Sequence, residues 1–142
     1  MNTSRIQIAQ SVGDITRCFD VMHELRPHLT PEGFLAQAAR QQTRGWHLAF
    51  LECEGVIRSV TGYRFIETLA WGRTLYVDDL VARTDDHGSG FGSALLDWLV
   101  AQAKQHECAQ FHLDSGVQRF GAHRFYLHKG MDITSHHFAM RL

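Results

Sequence analysis

The chain has 142 residues, 44% of them hydrophobic and 20% charged, which is enough for a single domain whose core needs neither disulfide nor metal. Fourteen Lys and Arg against fifteen Asp and Glu leave a formal charge of -1, so there is no electrostatic case for a nucleic-acid partner or an anionic membrane surface. The N-terminus has no basic stretch leading into a long apolar run, no apolar run approaches the roughly 20 residues needed to span a bilayer, and Cys18, Cys53 and Cys108 form no C-x-x-C pair; a cytoplasmic protein is expected.

Residues 5–10 (RIQIAQ) alternate apolar and polar and predict a strand. Residues 12–28 (VGDITRCFDVMHELRPH) put Ile15, Phe19, Met22 and Leu25 on one helical face, with Pro27 closing the segment. In residues 30–45 (TPEGFLAQAARQQTRG), Thr30 is an N-cap, Pro31 suits the first helical position and Gly45 stands just past the end. Two strands then turn at Glu54-Gly55, the second interrupted near Gly62, and residues 74–82 (TLYVDDLVA) add a third. Residues 93–107 (SALLDWLVAQAKQHE) carry Leu95, Leu96, Leu99 and Ala103 at helical spacing. A strand at 109–115, a short helix at 119–129 ended by Gly130, and a last strand at 135–142 (SHHFAMRL) complete the chain. The order β-α-α-β-β-β-α-β-α-β predicts an α+β domain spanning 1–142, one mixed sheet with helices on its faces.

Between the third strand of that run and the next helix lie Gly88, Gly90 and Gly92. Glycine costs backbone entropy, so three at a helix mouth suggest a ligand lying against bare backbone. The first amides of a helix lack intrahelical acceptors and the helix dipole favours negative charge there, which makes the turn a phosphate cradle. A Walker loop is excluded because Ser93-Ala94 follows Gly92 where Lys and Ser/Thr are required. A dinucleotide fingerprint is excluded by Ser93 where its third glycine belongs.

The turn resembles motif A of the GNAT superfamily of N-acetyltransferases, R/Q-x-x-G-x-G/A, which binds the pyrophosphate of acetyl-coenzyme A; the Arg/Gln position falls on His87. Residues 122–131 (AHRFYLHKGM) resemble the family's motif B, A-x-x-F/L-Y-x-x-x-G-F/M, with Arg119 where the family often has Asn. Ala122 and Tyr126 share a helix face, and Gly130 sits where a left-handed terminator belongs. The resemblance implies the GNAT fold, a mostly antiparallel sheet whose fourth and fifth strands splay apart, and acetyl-coenzyme A as co-substrate. It places pyrophosphate on His87, Gly88, Ser89, Gly90, Phe91 and Gly92, and pairs the pantetheine arm with the main chain of Leu80 and Ala82. It makes Tyr126 the general acid for the departing thiolate and Asp78 a candidate base.

Alternation along a strand predicts that Asp78 and Asp79 face opposite sides of the sheet, one towards the substrate. The base is open between Asp78, Asp79 and a water. Ten histidines include no H-E-x-x-H, and His136 and His137 are adjacent on a predicted strand, so no metal is expected. Ser115 or Asp114 reads as a helix cap. The acceptor is expected to be a small-molecule amine or an exposed amino group, and the strand edges allow a homodimer. The alternative is a non-catalytic acyl-coenzyme A sensor or scaffold of the same fold.

Overall fold

The computed structural model describes residues 3–142. Five strands form one sheet in the order β1-β2-β3-β4-β5, from β1 (Ser4–Ile8), β2 (Trp46–Cys53), β3 (Val56–Thr68), β4 (Gly72–Ala82) and β5 (Gln110–Leu113). The first three ladders are antiparallel. β5 returns through a crossover helix, and Ala109 N–H donates to the Arg73 carbonyl at 2.7 Å, so β4 and β5 start level, as the parallel step of a mixed sheet requires. Contacts divide the chain into two compact units, 1–112 and 113–142.

In the first unit, α1 (Val12–Leu25) and α2 (Pro31–Gln42) open on side-chain caps. Ser11 Oγ accepts from Asp14 N at 3.1 Å, and Thr30 Oγ1 from Gly33 N at 3.1 Å. The helices bury Ile15, Cys18, Val21, Met22, Phe34 and Ala38 against Trp46, Leu48, Phe50 and Val60 of the sheet. The β2–β3 hairpin turns through Glu54 (φ 57°) and Gly55 (φ 75°), the paired positive angles that fit a two-residue hairpin to strand twist. On the other face, α3 (Phe91–Gln105) buries Leu95, Leu96, Leu99 and Ala103, and Trp98 meets the buried Tyr63 edge-on at 5.9 Å. None of the helices is long and apolar enough to cross a membrane among the described residues.

β3 runs unbroken through Gly62, contrary to the interruption expected there. The irregularity lies opposite: Gly62 pairs with Asp79 and Tyr63 with Val77, leaving Asp78 as an extra residue in β4. Gly62 has a different job. A Cβ on it would come within 2.6–2.8 Å of the Trp46 indole, which lies across the bare backbone.

In the second unit, α4 (Phe120–His128) ends as the motif predicts. Gly130 has φ 91°, its N–H donates to the Leu127 carbonyl at 3.0 Å, and the Met131 N–H donates to the Tyr126 carbonyl at 3.1 Å. Arg119 is the N-cap residue and no side chain caps this helix, so the capping role expected of Asp114 or Ser115 is not taken. The last strand expected at 135–142 is also not formed: residues 131–142 carry no regular secondary structure. Phe138, Met140 and Leu142 do alternate and are exposed, but alternation supplies a face, whereas a strand exists only through a ladder with a partner.

Gly62→Ala should therefore push the indole off its seat and destabilise the chain by about 1–3 kcal/mol, the usual cost of overpacking. A chemical-denaturation midpoint, compared with Gly55→Ala as a turn control away from the indole, measures it.

Candidate active site

β4 leads into the glycine turn. After Ala82 the chain makes a 3₁₀ turn (Thr84–Asp86), and Gly90 is the N-cap of α3 with φ 83°. Gly88 has φ 84°, and a Cβ at either glycine would meet nothing within 4 Å, so the positive φ and not crowding demands glycine, and the backbone there lies open. Gly92 faces the sheet, where its Cβ would touch that of Ala82 at 3.6 Å. His87 and Ser89 are exposed. The His87 N–H donates to Thr84 O and the Ser89 N–H to Asp86 O, both within the turn. This is a set of residues that fits a pyrophosphate: open backbone at the amino end of a 15-residue helix, with no Cβ in the way.

The turn is braced from behind. Arg58 Nη1 donates to Asp86 Oδ1 at 3.1 Å, and its guanidinium lies 5.7 Å from the centre of the Phe91 ring. Arg83 lies on the other Asp86 oxygen, Nε to Oδ2 at 3.5 Å. The buried Ser59 hydroxyl donates to the Phe91 carbonyl at 3.0 Å. Glu24 of α1 reaches across to accept from both the N–H of Thr84 (2.9 Å) and its hydroxyl (2.6 Å). A loop held this way would have little ordering left to do on meeting a ligand.

β5 has four residues against eleven in β4, so it leaves the far half of β4, with Leu80 and Ala82, unpaired on that edge. An unpaired strand edge offers amides and carbonyls in register to an extended, amide-bearing ligand.

On the α1–α2 side of the sheet lies a cavity of about 340 Å³. Its apolar wall includes Met22, Leu29, Phe34 and Trp46, and both Asp78 and Asp79 line it. The expectation that these two acids face opposite sides of the sheet is thus corrected. Two residues of a bulge oppose one on the partner strand, so the alternation slips there and both carboxylates turn to the same side.

Their partners differ. Asp78 has both oxygens on Arg64, Oδ1 from Nε at 3.1 Å and Oδ2 from Nη2. Asp79 Oδ1 accepts from Arg26 Nε at 2.8 Å, and Arg26 Nη2 also donates to the Asp78 main-chain carbonyl at 3.2 Å. Thr61 Oγ1 donates to the Asp79 carbonyl at 2.7 Å. Burial raises the Asp79 carboxyl above its ordinary value, and the Arg26 guanidinium only partly offsets that.

Tyr126 stands on α4, where burial raises its phenol above the usual value of 10.0. On the same helix, His123 Nε2 donates to the Gly116 carbonyl at 2.7 Å, which ties it into its own loop. Along β3 and the turn after it, Arg64 serves Asp78, while Tyr63 is buried on the α3 face and Trp71 stacks on His112 at 3.7 Å. Among the described residues, no cluster of three His, Cys, Asp or Glu side chains is arranged to hold a metal ion.

Sequence reasoning passed over Arg26, Trp46 and Glu24. Arg26 precedes Pro27 and reads as helix-end chemistry, and Glu24 looks like any solvated helix acid. The bulge had one outward sign, the lone glycine in the facing strand.

Comparison with known proteins agrees with this geometry. The pattern of the Acetyltransferase (GNAT) family matches residues 12–131. The chain is 33% identical over 122 residues to an uncharacterized N-acetyltransferase, YhdJ, of Bacillus subtilis, covering 84% of this chain and 86% of that one. Among solved structures it resembles the aminoglycoside N-acetyltransferase AAC(6')-Iy in complex with CoA, with TM-score 0.85 at 10% identity over 100% of this chain and 96% of that one. It also resembles the ribosomal-protein-alanine N-acetyltransferase of Brucella melitensis, with TM-score 0.82 at 15% identity over 99% of each chain. The glycine turn at the mouth of α3, the short fifth strand and the family match over most of the length agree: this chain belongs to the GNAT family of acetyltransferases.

Proposed function

We propose that the protein transfers an acetyl group from acetyl-coenzyme A to the amine of a small molecule or an exposed amino group, by direct attack on the thioester. The observation that carries this reading is the braced glycine turn, with Gly88 and Gly90 at positive φ in front of α3, fed by a strand whose outer edge β5 does not reach. The bound co-substrate supplies an activated thioester. The amides of Gly88, Gly90, Phe91 and Gly92 would hold its diphosphate, those of His87 and Ser89 being spent on shaping the turn, and the main chain of Leu80 and Ala82 would pair with its pantetheine amides. The imidazole of His87 takes the place that Arg or Gln holds in the family motif.

The acceptor nitrogen must lose a proton before it attacks, because a lysine-like amine with pKa about 10.4 is almost wholly protonated at neutral pH. Asp78 and Asp79 are the two carboxylates at the cavity, and their bonding divides the work. Asp78 has both oxygens committed to Arg64 and fixes the bulge. Asp79 gives Oδ1 to Arg26 and keeps Oδ2 for a proton from the substrate. Its raised pKa suits a base, since a carboxylate closer to neutrality takes a proton more readily. As the new C–N bond forms and the C–S bond breaks, Tyr126 gives a proton to the departing sulfur. That phenol is protonated at neutral pH, as an acid requires, and burial moves its pKa further up. The reading carries a cytoplasmic location with it, in keeping with three free cysteines.

The test is release of free coenzyme A in the presence of a panel of amines. Tyr126→Phe should lower kcat by about 10²-fold or more, the usual worth of a general acid, while acetyl-coenzyme A at 100 times its Kd still stabilises the variant by about 2.7 kcal/mol. Tight cofactor binding with no turnover for any amine would leave the sensor reading in its place.

Asp79→Asn should cost kcat about 10²-fold. The sign of the pH effect follows from the bonding. Arg26 favours the charged carboxylate and burial opposes it, so Arg26→Ala removes the main opposition to burial, leaves only the weaker pull of Arg64, and moves the ascending limb of kcat/KM to higher pH. A pH–rate profile of the two proteins side by side measures the shift.

A further inference from the structure

Resting on that reading and deepening it, the cavity points to a class of acceptor through the hydrogen-bonding groups its lining still has free. Of its two acids, Asp78 is closed, because Arg64 takes both carboxylate oxygens. Asp79 gives Oδ1 to Arg26, and its Oδ2 has no partner among the described residues. The lining therefore has one place for an ammonium group, and a polyamine finds no second open carboxylate there.

Free donors are more numerous. Arg26 spends Nε on Asp79 and Nη2 on the Asp78 carbonyl, which leaves both N–H groups of Nη1 free on a side chain that is 43% exposed. His28 lines the same cavity from the turn that follows, closed by the Leu29 N–H on the Arg26 carbonyl at 3.1 Å. Its exposed imidazole has no partner among the described residues, and an imidazole has an N–H to give in either protonation state. On α2, Gln37 donates to the Gln41 side-chain oxygen at 2.8 Å, so the Gln41 amide N–H groups are free as well.

The two kinds of free group are adjacent: the guanidinium with spare N–H groups is bonded at 2.8 Å to the carboxylate with the spare oxygen. A ligand that satisfies both carries an ammonium and an oxyanion only a few bonds apart, and the planar guanidinium suits a carboxylate best. The volume, about 340 Å³, lies at the low end of small-molecule sites, roughly 300 to 1,000 Å³. Met22, Leu29, Phe34 and Ala38 make the remaining wall apolar.

We infer that the acceptor is a free α-amino acid with an apolar side chain. Its amino group lies at Asp79 Oδ2, its carboxylate accepts from Arg26 Nη1 and the His28 imidazole, and its side chain lies against Met22 and Phe34. His28 is then a specificity-determining residue for the acceptor.

Binding calorimetry on the full chain, alone and with coenzyme A present, tests this apart from catalysis. The probes are valine, leucine and phenylalanine, each beside the amine that lacks only its carboxylate: isobutylamine, isopentylamine and 2-phenylethylamine. Leucinamide, spermidine and glucosamine 6-phosphate are the contrasts. At least one amino acid should bind about tenfold or more tightly than its amine, the worth of a hydrogen bond to a charged group. His28→Ala, a change at an exposed position, should weaken that amino acid about fivefold or more and leave its amine within about twofold. The proposal is overturned if every amino acid binds no better than its amine, if His28→Ala weakens both alike or neither, if any contrast matches the best amino acid, or if no probe binds. Coenzyme A release from acetyl-coenzyme A on the same panel separates the two readings. An amino acid that binds as described without being acetylated counts against the enzyme and not the cavity; acetylation of the simple amines or spermidine, and of no amino acid, counts against the cavity and not the enzyme.

Discussion

One surplus residue in β4 governs where the acids of the first unit lie. Asp78 has no partner on β3, so the ladder slips between Val77 and Asp79 and the strand bends. In a regular strand one of the two acids would be sent to the α3 face, where Tyr63 meets Trp98 in an apolar layer. A carboxylate buried there without a partner costs several kcal/mol. The bulge instead gathers both acids on the α1–α2 side, where guanidinium groups are within reach. It breaks the ladder locally, and the freed main chain is satisfied in other ways, Arg26 serving the Asp78 carbonyl and Thr61 the Asp79 carbonyl.

The end of α1 ties this bulge to the glycine turn. Arg26 holds Asp78 and Asp79, and Glu24, two residues earlier, holds the main chain and hydroxyl of Thr84. Hydrogen bonds to charged groups are each worth about 1.5–3 kcal/mol, more than neutral ones, so two such anchors on one helix end give it a fixed position over β4. The wall of the cavity and the brace of the glycine turn are therefore linked through the end of α1. Arg58 and Arg83 finish the brace by sharing Asp86, with Arg58 also covering the Phe91 ring. Their charge is spent on holding the loop's shape.

Much of the fold was legible in the residues because the relevant forces are local. Thr30 and Pro31 start α2, Leu95, Leu96, Leu99 and Ala103 give α3 its buried stripe, and Gly130 ends α4, each through bonds within a few residues of chain. The same local reasoning went astray at residues 135–142. Apolar alternation there suggested a strand, yet strand formation depends on a neighbour that no local pattern specifies. It also placed the irregularity at Gly62 on the wrong strand. A glycine reports that something comes close, and here that something is the Trp46 ring.

By itself, the sequence determined the family, the glycine turn at the mouth of α3 and the presence of two acids on the strand before it. Those features are carried by residue identity and short spacing, which survive without knowledge of what packs where. Only the tertiary structure decided that Asp78 and Asp79 share a cavity, that Arg26 and Arg64 divide them into an open and a closed carboxylate, and that the Trp46 indole packs on Gly62 with its donor unpaired. The reason is physical: strand register, and with it the direction of every side chain beyond a bulge, is set by pairing between segments far apart in the chain.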